Sequence, residues 1–115
     1  MKNLKKYQSL LIIIGIILIV TGLVWINRKP KMILFYSNSC SHCKVVEEYI
    51  SANNVKAKFQ FQELEVSQNQ ANAVLLEQKA KQCGLDTSQG LGVPFFFDGE
   101  KCLSGDQDII NYFQK

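Results

Sequence analysis

The stretch FYSNSCSHCK, residues 35–44, joins an apolar run to a helical pattern and decides how the chain folds. The apolar run at residues 32–36 has the length and composition of a buried strand. After a few small and polar residues, apolar side chains recur on one helical face, at Val45, Val46, Tyr49 and Ile50. Cys40 is therefore predicted to lie where a strand ends and a helix begins.

This position favours the thiolate form of Cys40. The free N–H groups and the positive dipole end of a helix stabilise a negative charge, and His42, if protonated, would add positive charge nearby. Cysteine pKa values in such settings fall to about 3.5–7.5. Cys40 is therefore predicted to be a nucleophile, and Cys43, one turn further along, the thiol that resolves a mixed disulfide. The alternative for His42 is a solvated residue without any effect on the thiolate.

The succession of strand, turn, Cys-x-x-Cys and helix resembles the active site of the thioredoxin-like superfamily, in particular its small glutaredoxin-like and thioredoxin-like disulfide oxidoreductases. The resemblance covers most of residues 31–115. A histidine directly before the second cysteine is more similar to the strongly oxidising periplasmic members. The family also has a cis proline that opens its third strand and faces the cysteine pair, and Val93-Pro94 matches it by position. The resemblance implies that the Val93 backbone pairs with an extended substrate segment beside Cys40.

Periodicity and turn residues predict the elements that follow the first helix. Phe59 and Phe61 alternate with polar residues, which predicts a half-buried strand within residues 55–66. A second helical stretch follows residue 67, with Cys83 on its apolar face and Gly84 as its C-terminal cap. The first two strands, joined by a crossover helix, are expected to be parallel.

The C-terminal part of the chain is predicted to be a hairpin followed by a helix. Residues 94–97 form a short apolar strand, Asp98-Gly99 is a strong turn signal, and residues 100–103 return as a fourth strand. Asp106 is the predicted N-cap of the last helix. The predicted fold is α/β in the order β-α-β-α-β-β-α, a four-stranded mixed sheet flanked by helices, preceded by one transmembrane helix. This order is that of the thioredoxin-like fold.

Cys83 and Cys102 allow two interpretations. Free cysteines are often buried in cores, which would make both of them packed thiols. An even count of four cysteines in an exported domain instead favours a structural Cys83–Cys102 disulfide, leaving Cys40 and Cys43 for redox chemistry.

An uncharged segment near the N-terminus is predicted to be a membrane anchor. No charge occurs from Tyr7 to Asn27, and these 21 residues would extend about 31 Å as a helix, enough to cross a bilayer core. A cleaved signal peptide is the alternative, but the apolar run is longer than usual and lacks small residues at a cleavage site. The predicted division is residues 1–31, with a basic tail, an anchor at about 8–27 and a short linker, and residues 32–115, the thioredoxin/glutaredoxin-like domain.

Charge is distributed unevenly along the chain. The first 31 residues carry six basic and no acidic side chains, whereas the rest has seven lysines and ten acidic residues. A nucleic-acid-binding protein would not segregate its charge in this way. Three basic residues lie on either side of the apolar segment, so the positive-inside rule does not fix the orientation. A short tail that stays inside would place the domain on the extracytoplasmic side of the membrane.

These features predict a membrane-anchored thiol–disulfide oxidoreductase that acts on protein substrates through Cys40 and Cys43, in a direction that the sequence leaves open. The expected partners are protein thiols or disulfides and a membrane redox partner, with the chain a monomer and its cysteine pair the redox group. Gly105-Asp106 falls where glutaredoxins bind the glutathione carboxylate, but Ser104 stands where a second glycine is often found. Glutathione dependence therefore stays open, and a plain helix cap is the alternative.

Two other classes of protein remain as alternatives. One is a zinc- or copper-binding module in which the Cys-x-x-Cys segment joins Cys83 or Cys102. Zinc ligands usually come in two paired sets, whereas these two cysteines are single, so no metal ligand is predicted. The other is a non-catalytic adaptor that binds peptides beside Pro94, against which the intact dithiol argues.

Overall fold

The computed structural model describes residues 2–26 and 31–115. The helices are α1 (Lys2–Ile26), α2 (Ser41–Ala52), α3 (Gln70–Gln82) and α4 (Asp106–Phe113), with a 3-10 turn at Val55–Ala57. The strands are β1 (Met32–Tyr36), β2 (Phe61–Glu65), β3 (Phe95–Phe97) and β4 (Cys102–Ser104). The predicted linker spans residues 27–31, of which residues 27–30 lie outside the described residues, and the division into two domains stays a prediction.

The four strands form one mixed sheet in the order β2-β1-β3-β4. β1 and β2 are parallel, with Met32 opposite Phe61, because α2 carries the chain back to the same end of the sheet. β3 is antiparallel to both neighbours, so Phe96 lies opposite Leu34 on one side and Leu103 on the other. The predicted α/β class, element order and mixed sheet are confirmed.

Successive residues of the central strands face opposite sides of the sheet, and helices cover both sides. Leu34 and Phe96 pack against α2, α4 and the 3-10 turn, in a cluster with Val46, Ile50, Val55, Ile109 and Phe113. Phe35 and Phe95 point the other way and pack against α3, in a cluster with Ile33, Leu76 and Ala80. Burial on both faces explains why the central strands are uninterrupted apolar runs in the sequence.

The second strand is shorter than the sequence predicted. β2 begins at Phe61, and residues 55–57 form the 3-10 turn instead. Asn54, with φ 51°, turns the chain before it, in a left-handed conformation that asparagine tolerates. Phe59 lies outside the strand but still packs against Phe113, with 5.4 Å between the ring centroids. Phe59 is apolar because it packs against the core, and its alternation with Phe61 and polar residues is typical of a strand.

The hairpin and the last helix also differ in detail from the prediction. β4 begins at Cys102 because the Asp98 carboxylate accepts the backbone N–H groups of Glu100 at 2.8 Å and Lys101 at 2.6 Å, which holds both in the turn. The N-cap of α4 is Gly105, not Asp106. Asp106 is the first residue of the helix, and its side chain bonds elsewhere, as described below.

The N-terminal helix begins at Lys2, so it also includes residues of the basic tail that precedes the predicted anchor. Lysine and leucine have a high helix propensity, and each residue added to an existing helix forms one more backbone hydrogen bond. α1 is long and apolar enough to cross a membrane. A signal sequence near the N-terminus can also be long and apolar enough, so this finding supports membrane targeting in general.

Candidate active site

Cys40 lies at the junction between β1 and α2, as predicted. A turn of residues 37–39 separates it from the strand, and its N–H donates to the carbonyl of Ser37 at 3.2 Å. The Ser37 and Ser39 hydroxyls are hydrogen-bonded at 3.1 Å, which stiffens the turn. Cys40 has an extended backbone and is the N-cap of α2. The helix therefore begins directly after the cysteine.

The Cys40 sulfur takes the place that a serine or aspartate oxygen has in an ordinary N-cap. It accepts the backbone N–H of Cys43 at 3.2 Å, and its thiol donates to the carbonyl of Val93 at 3.4 Å. Deprotonation would give up the second hydrogen bond and strengthen the first, since an anion is the better acceptor. The N-terminus of α2 thus provides a donor aimed at a thiolate on Cys40.

Cys43 has a different environment from Cys40, although both are free thiols. Its side chain is only 1% exposed. Burial, together with the hydrogen bond to Cys40, raises the pKa of Cys43 to about 12. At neutral pH it is therefore a protonated thiol beneath Cys40.

His42 is hydrogen-bonded to a residue of α4. Its Nδ1 lies 3.1 Å from Oδ2 of Asp106, and the His42 side chain is 71% exposed. The hydrogen bond from His42 is the main reason why the pKa of Asp106 is lowered. The predicted tuning of the Cys40 thiolate by His42 stays a prediction. Sequence reasoning missed the partner, because Asp106 is 64 residues away and carries no local signal beyond that of a helix start.

Val93 and Pro94 lie beside the cysteine pair. The Val93–Pro94 peptide bond is cis, Pro94 is buried, and the Val93 carbonyl accepts the hydrogen bond from Cys40. The carbonyl of Pro94 in turn accepts the N–H of Gly105 at 3.0 Å. The tertiary structure thus brings together the start of α2, the segment before β3 and the start of α4.

Cys83 and Cys102 form a disulfide, with 2.01 Å between the sulfurs and 6.1 Å between the Cα atoms. The interpretation as two packed free thiols is wrong. Cys83 is the C-cap residue of α3, rather than part of its apolar face, so the bond ties the end of α3 to β4. Neither cysteine can then supply a thiolate to a metal. Within residues 2–26 and 31–115, no group of three His, Cys, Asp or Glu side chains could hold a metal ion.

Comparison of the chain with protein-family models and with the curated proteins gives no match. The surroundings of the two free thiols are therefore the basis for assigning a function. One thiol is partly exposed and faces a helix N-terminus, and the other is buried and protonated. This pair can attack a disulfide and then release the product by forming its own disulfide.

Proposed function

We propose that the chain is a membrane-anchored thiol–disulfide oxidoreductase with a thioredoxin-like fold, which exchanges disulfides with protein substrates through Cys40 and Cys43. The observation that carries this proposal is the asymmetry between the two thiols. Cys40 caps α2 and is partly exposed, whereas Cys43 is 1% exposed. Exchange needs this difference, because one thiolate must attack while the second thiol waits for a mixed disulfide.

The reaction conserves electrons and protons in two steps. The Cys40 thiolate attacks one sulfur of a substrate disulfide, an S–S bond forms between them, and the other substrate sulfur leaves as a thiolate. Cys43 then loses its proton to water and attacks the Cys40 sulfur as a thiolate, which breaks the mixed disulfide and releases the second substrate sulfur as a thiolate. The dithiol has given two electrons to the substrate and is oxidised to a Cys40–Cys43 disulfide. The reverse sequence oxidises a substrate dithiol.

The segment before β3 supports substrate binding beside Cys40. The Val93 carbonyl lies 3.4 Å from the Cys40 sulfur, and the Val93 side chain is only partly buried. An extended substrate segment would pair with this backbone, as in other cases where a peptide binds alongside an exposed edge. Backbone pairing does not depend on side-chain identity, so the expected substrates are proteins of varied sequence.

α1 and the disulfide support a location at the outer face of a membrane. Disulfides persist in oxidising compartments and are rare in the cytosol. The Cys83–Cys102 bond and the apolar helix that precedes the domain together support a location outside the cytoplasm. A membrane redox partner would then restore the Cys40–Cys43 pair after each turnover.

The test is the reduction potential of Cys40–Cys43 in the full chain in detergent, read by thiol alkylation in glutathione buffers. A value of about −120 to −180 mV would identify an oxidant or isomerase, and about −270 mV a reductant. Cys43→Ser should trap a mixed disulfide with a substrate protein, and Cys40→Ser, the matched control, should trap none. A pair that never oxidises, or unchanged turnover in Cys40→Ser, would contradict the proposal. Peptide binding without any turnover that depends on Cys40 would leave a peptide-binding adaptor.

A further inference from the structure

Three hydrogen bonds link the chain segments that carry Cys40, Pro94 and Asp106, and one of them involves the Cys40 sulfur. The first joins Cys40 to the Val93 carbonyl at 3.4 Å, and the second joins Gly105 N–H to the Pro94 carbonyl at 3.0 Å. The third joins Nδ1 of His42 to Oδ2 of Asp106 at 3.1 Å. The start of α4 is therefore part of the rim of the site, and Asp106 is the residue through which it reaches α2.

The Asp106 carboxylate determines which nitrogen of His42 is free. The hydrogen bond from His42 lowers the pKa of Asp106, so the carboxylate carries no proton at neutral pH and can only accept. Nδ1 must then be the donor, and Nε2 is the nitrogen left without a contact to Asp106. The other oxygen of Asp106 accepts the N–H of Gln107 at 2.9 Å, which holds the carboxylate in place.

The position of the pair suits contact with a departing group. The Asp106 side chain is 22% exposed and that of His42 is 71% exposed. The carboxylate is therefore mostly covered by the protein, whereas the imidazole is mostly in contact with solvent. A substrate thiolate that leaves during the attack by Cys40 also departs towards solvent. Cys43 is only 1% exposed, so its proton does not face the solvent towards which the thiolate departs. His42 is the only histidine of the chain and lies in the first turn of α2.

We propose that His42 donates a proton to the departing substrate thiolate and that Asp106 is the positioning residue that holds His42 for this task. As the bond from Cys40 to the substrate forms, the electron pair of the substrate disulfide moves to the departing sulfur. The Nε2 proton of the imidazolium moves to that sulfur, giving a free thiol and a neutral imidazole, which regains a proton from water. This inference rests on the proposed function and adds a role to His42 and Asp106.

The test compares two disulfides in single-turnover reactions of the full-length protein in detergent. A dialkyl disulfide releases a basic thiolate that needs a proton, whereas a thionitrobenzoate disulfide releases a stable aromatic thiolate that does not. His42→Ala and Asp106→Ala should each slow the dialkyl reaction about tenfold and leave the aromatic reaction within about twofold. Asp106→Asn keeps an acceptor oxygen, so it should slow the dialkyl reaction less than Asp106→Ala does. Asp108→Ala removes a charge from the same helical turn and is the matched control.

The double variant His42→Ala/Asp106→Ala tests whether Asp106 acts through His42 or directly through its own negative charge. It should be no slower than His42→Ala alone, because Asp106 acts through His42. Additive losses, equal slowing of both disulfides, or unchanged dialkyl rates in folded variants would overturn the inference. Circular dichroism confirms that each variant is folded. If the unmodified protein reacts with neither disulfide, the proposed function itself fails, which is a different outcome.

Discussion

Cys40 and Cys43 belong to one turn of chain but differ in chemistry because of where their side chains point. Cys40 precedes the helix, and its sulfur accepts an N–H from the first turn. Cys43 lies within the helix and faces the core with Val46 and Ile50, the other buried residues of α2. The start of the same helix therefore leaves one thiol partly exposed and buries the other.

This difference predicts selective alkylation. At pH 8, iodoacetamide should modify Cys40 at least about 100 times faster than Cys43, because only a thiolate reacts and burial keeps Cys43 protonated. The pKa of Cys43, raised to about 12 by burial, gives the direction of the effect. Mass spectrometry of digested samples measures both rates. In guanidinium the two cysteines should react alike, and similar rates in the folded protein would contradict the assignment.

The His42–Asp106 pair predicts a shift in one carboxyl titration. His42→Ala removes the hydrogen bond that chiefly lowers the pKa of Asp106, so that pKa should rise towards its ordinary value of 3.8. The folded-state pKa lies below the unfolded one, so the pair stabilises the fold above about pH 4 and this contribution is lost as the pH falls further. NMR titration of the side-chain carboxyl measures the shift.

Asp86 is the control for this titration. Its pKa is also lowered, but by hydrogen bonds from Ser88, so His42→Ala should leave it unchanged. An unchanged pKa for Asp106 in the variant would show that the two side chains do not interact in solution.

At the scale of elements, the disulfide holds the segment that faces Cys40. The bond joins residues 19 apart, and the chain between them contains Val93 and Pro94. Cross-linking reduces the entropy of the unfolded chain, by an amount that grows with loop length. Cys83→Ala/Cys102→Ala should therefore lower the free energy of unfolding by about 2–4 kcal/mol.

Urea denaturation of protein that has the Cys83–Cys102 bond and a reduced Cys40–Cys43 pair measures this loss. Cys40→Ser is the comparison variant, since it changes a partly exposed cysteine and keeps the Cys83–Cys102 bond. It should lower the free energy of unfolding by less than the double alanine variant does. A double alanine variant as stable as the unmodified protein would show that the bond does not contribute to stability.

Gly105 joins β4 to α4 in a conformation that other residues rarely adopt. Its φ is 92° and its ψ is 155°, a region occupied almost only by glycine. An added Cβ would meet no atom within 4 Å, so the cost of Gly105→Ala is that of the backbone alone. We expect a loss of about 1–3 kcal/mol in the free energy of unfolding.

Gly92→Ala is the matched control for this substitution, measured by the same urea denaturation. A Cβ at Gly92 also meets nothing within 4 Å, and its φ is not positive. It should be neutral or slightly stabilising, because alanine restricts the unfolded chain. Equal effects of the two substitutions would contradict the assigned strain at Gly105.

At the scale of the whole molecule, α1 is long and apolar enough to cross a membrane. If α1 is an uncleaved anchor, mass spectrometry of the membrane fraction after alkaline carbonate washing should find the intact 13.1 kDa chain. Ile14→Arg should weaken membrane retention, since a central arginine costs about 2.5–3.5 kcal/mol on insertion scales. A shorter, soluble product would identify α1 as a cleaved signal sequence.

Local features were predictable because they depend on neighbouring residues. β1 was predicted at its observed bounds, and Cys40 at the start of α2, from an apolar run followed by helical spacing. The limits of β2 and β4 were wrong, because side-chain contacts and turn hydrogen bonds around Phe59 and Asp98 decide them. Such contacts compete with periodicity and leave no pattern of their own.

The apolar N-terminal segment, the α/β order and the place of the cysteine pair follow from the residues alone, because hydrophobic periodicity and helix-start chemistry act within a few residues. The pairing of Cys83 with Cys102, the burial of Cys43 and the contact of Cys40 with the Val93 carbonyl depend on the folded chain. The same holds for the contact between His42 and Asp106. These contacts form because the sheet brings the starts of α2, β3 and α4 together. The helices pack in this arrangement because both apolar faces of the sheet must be buried.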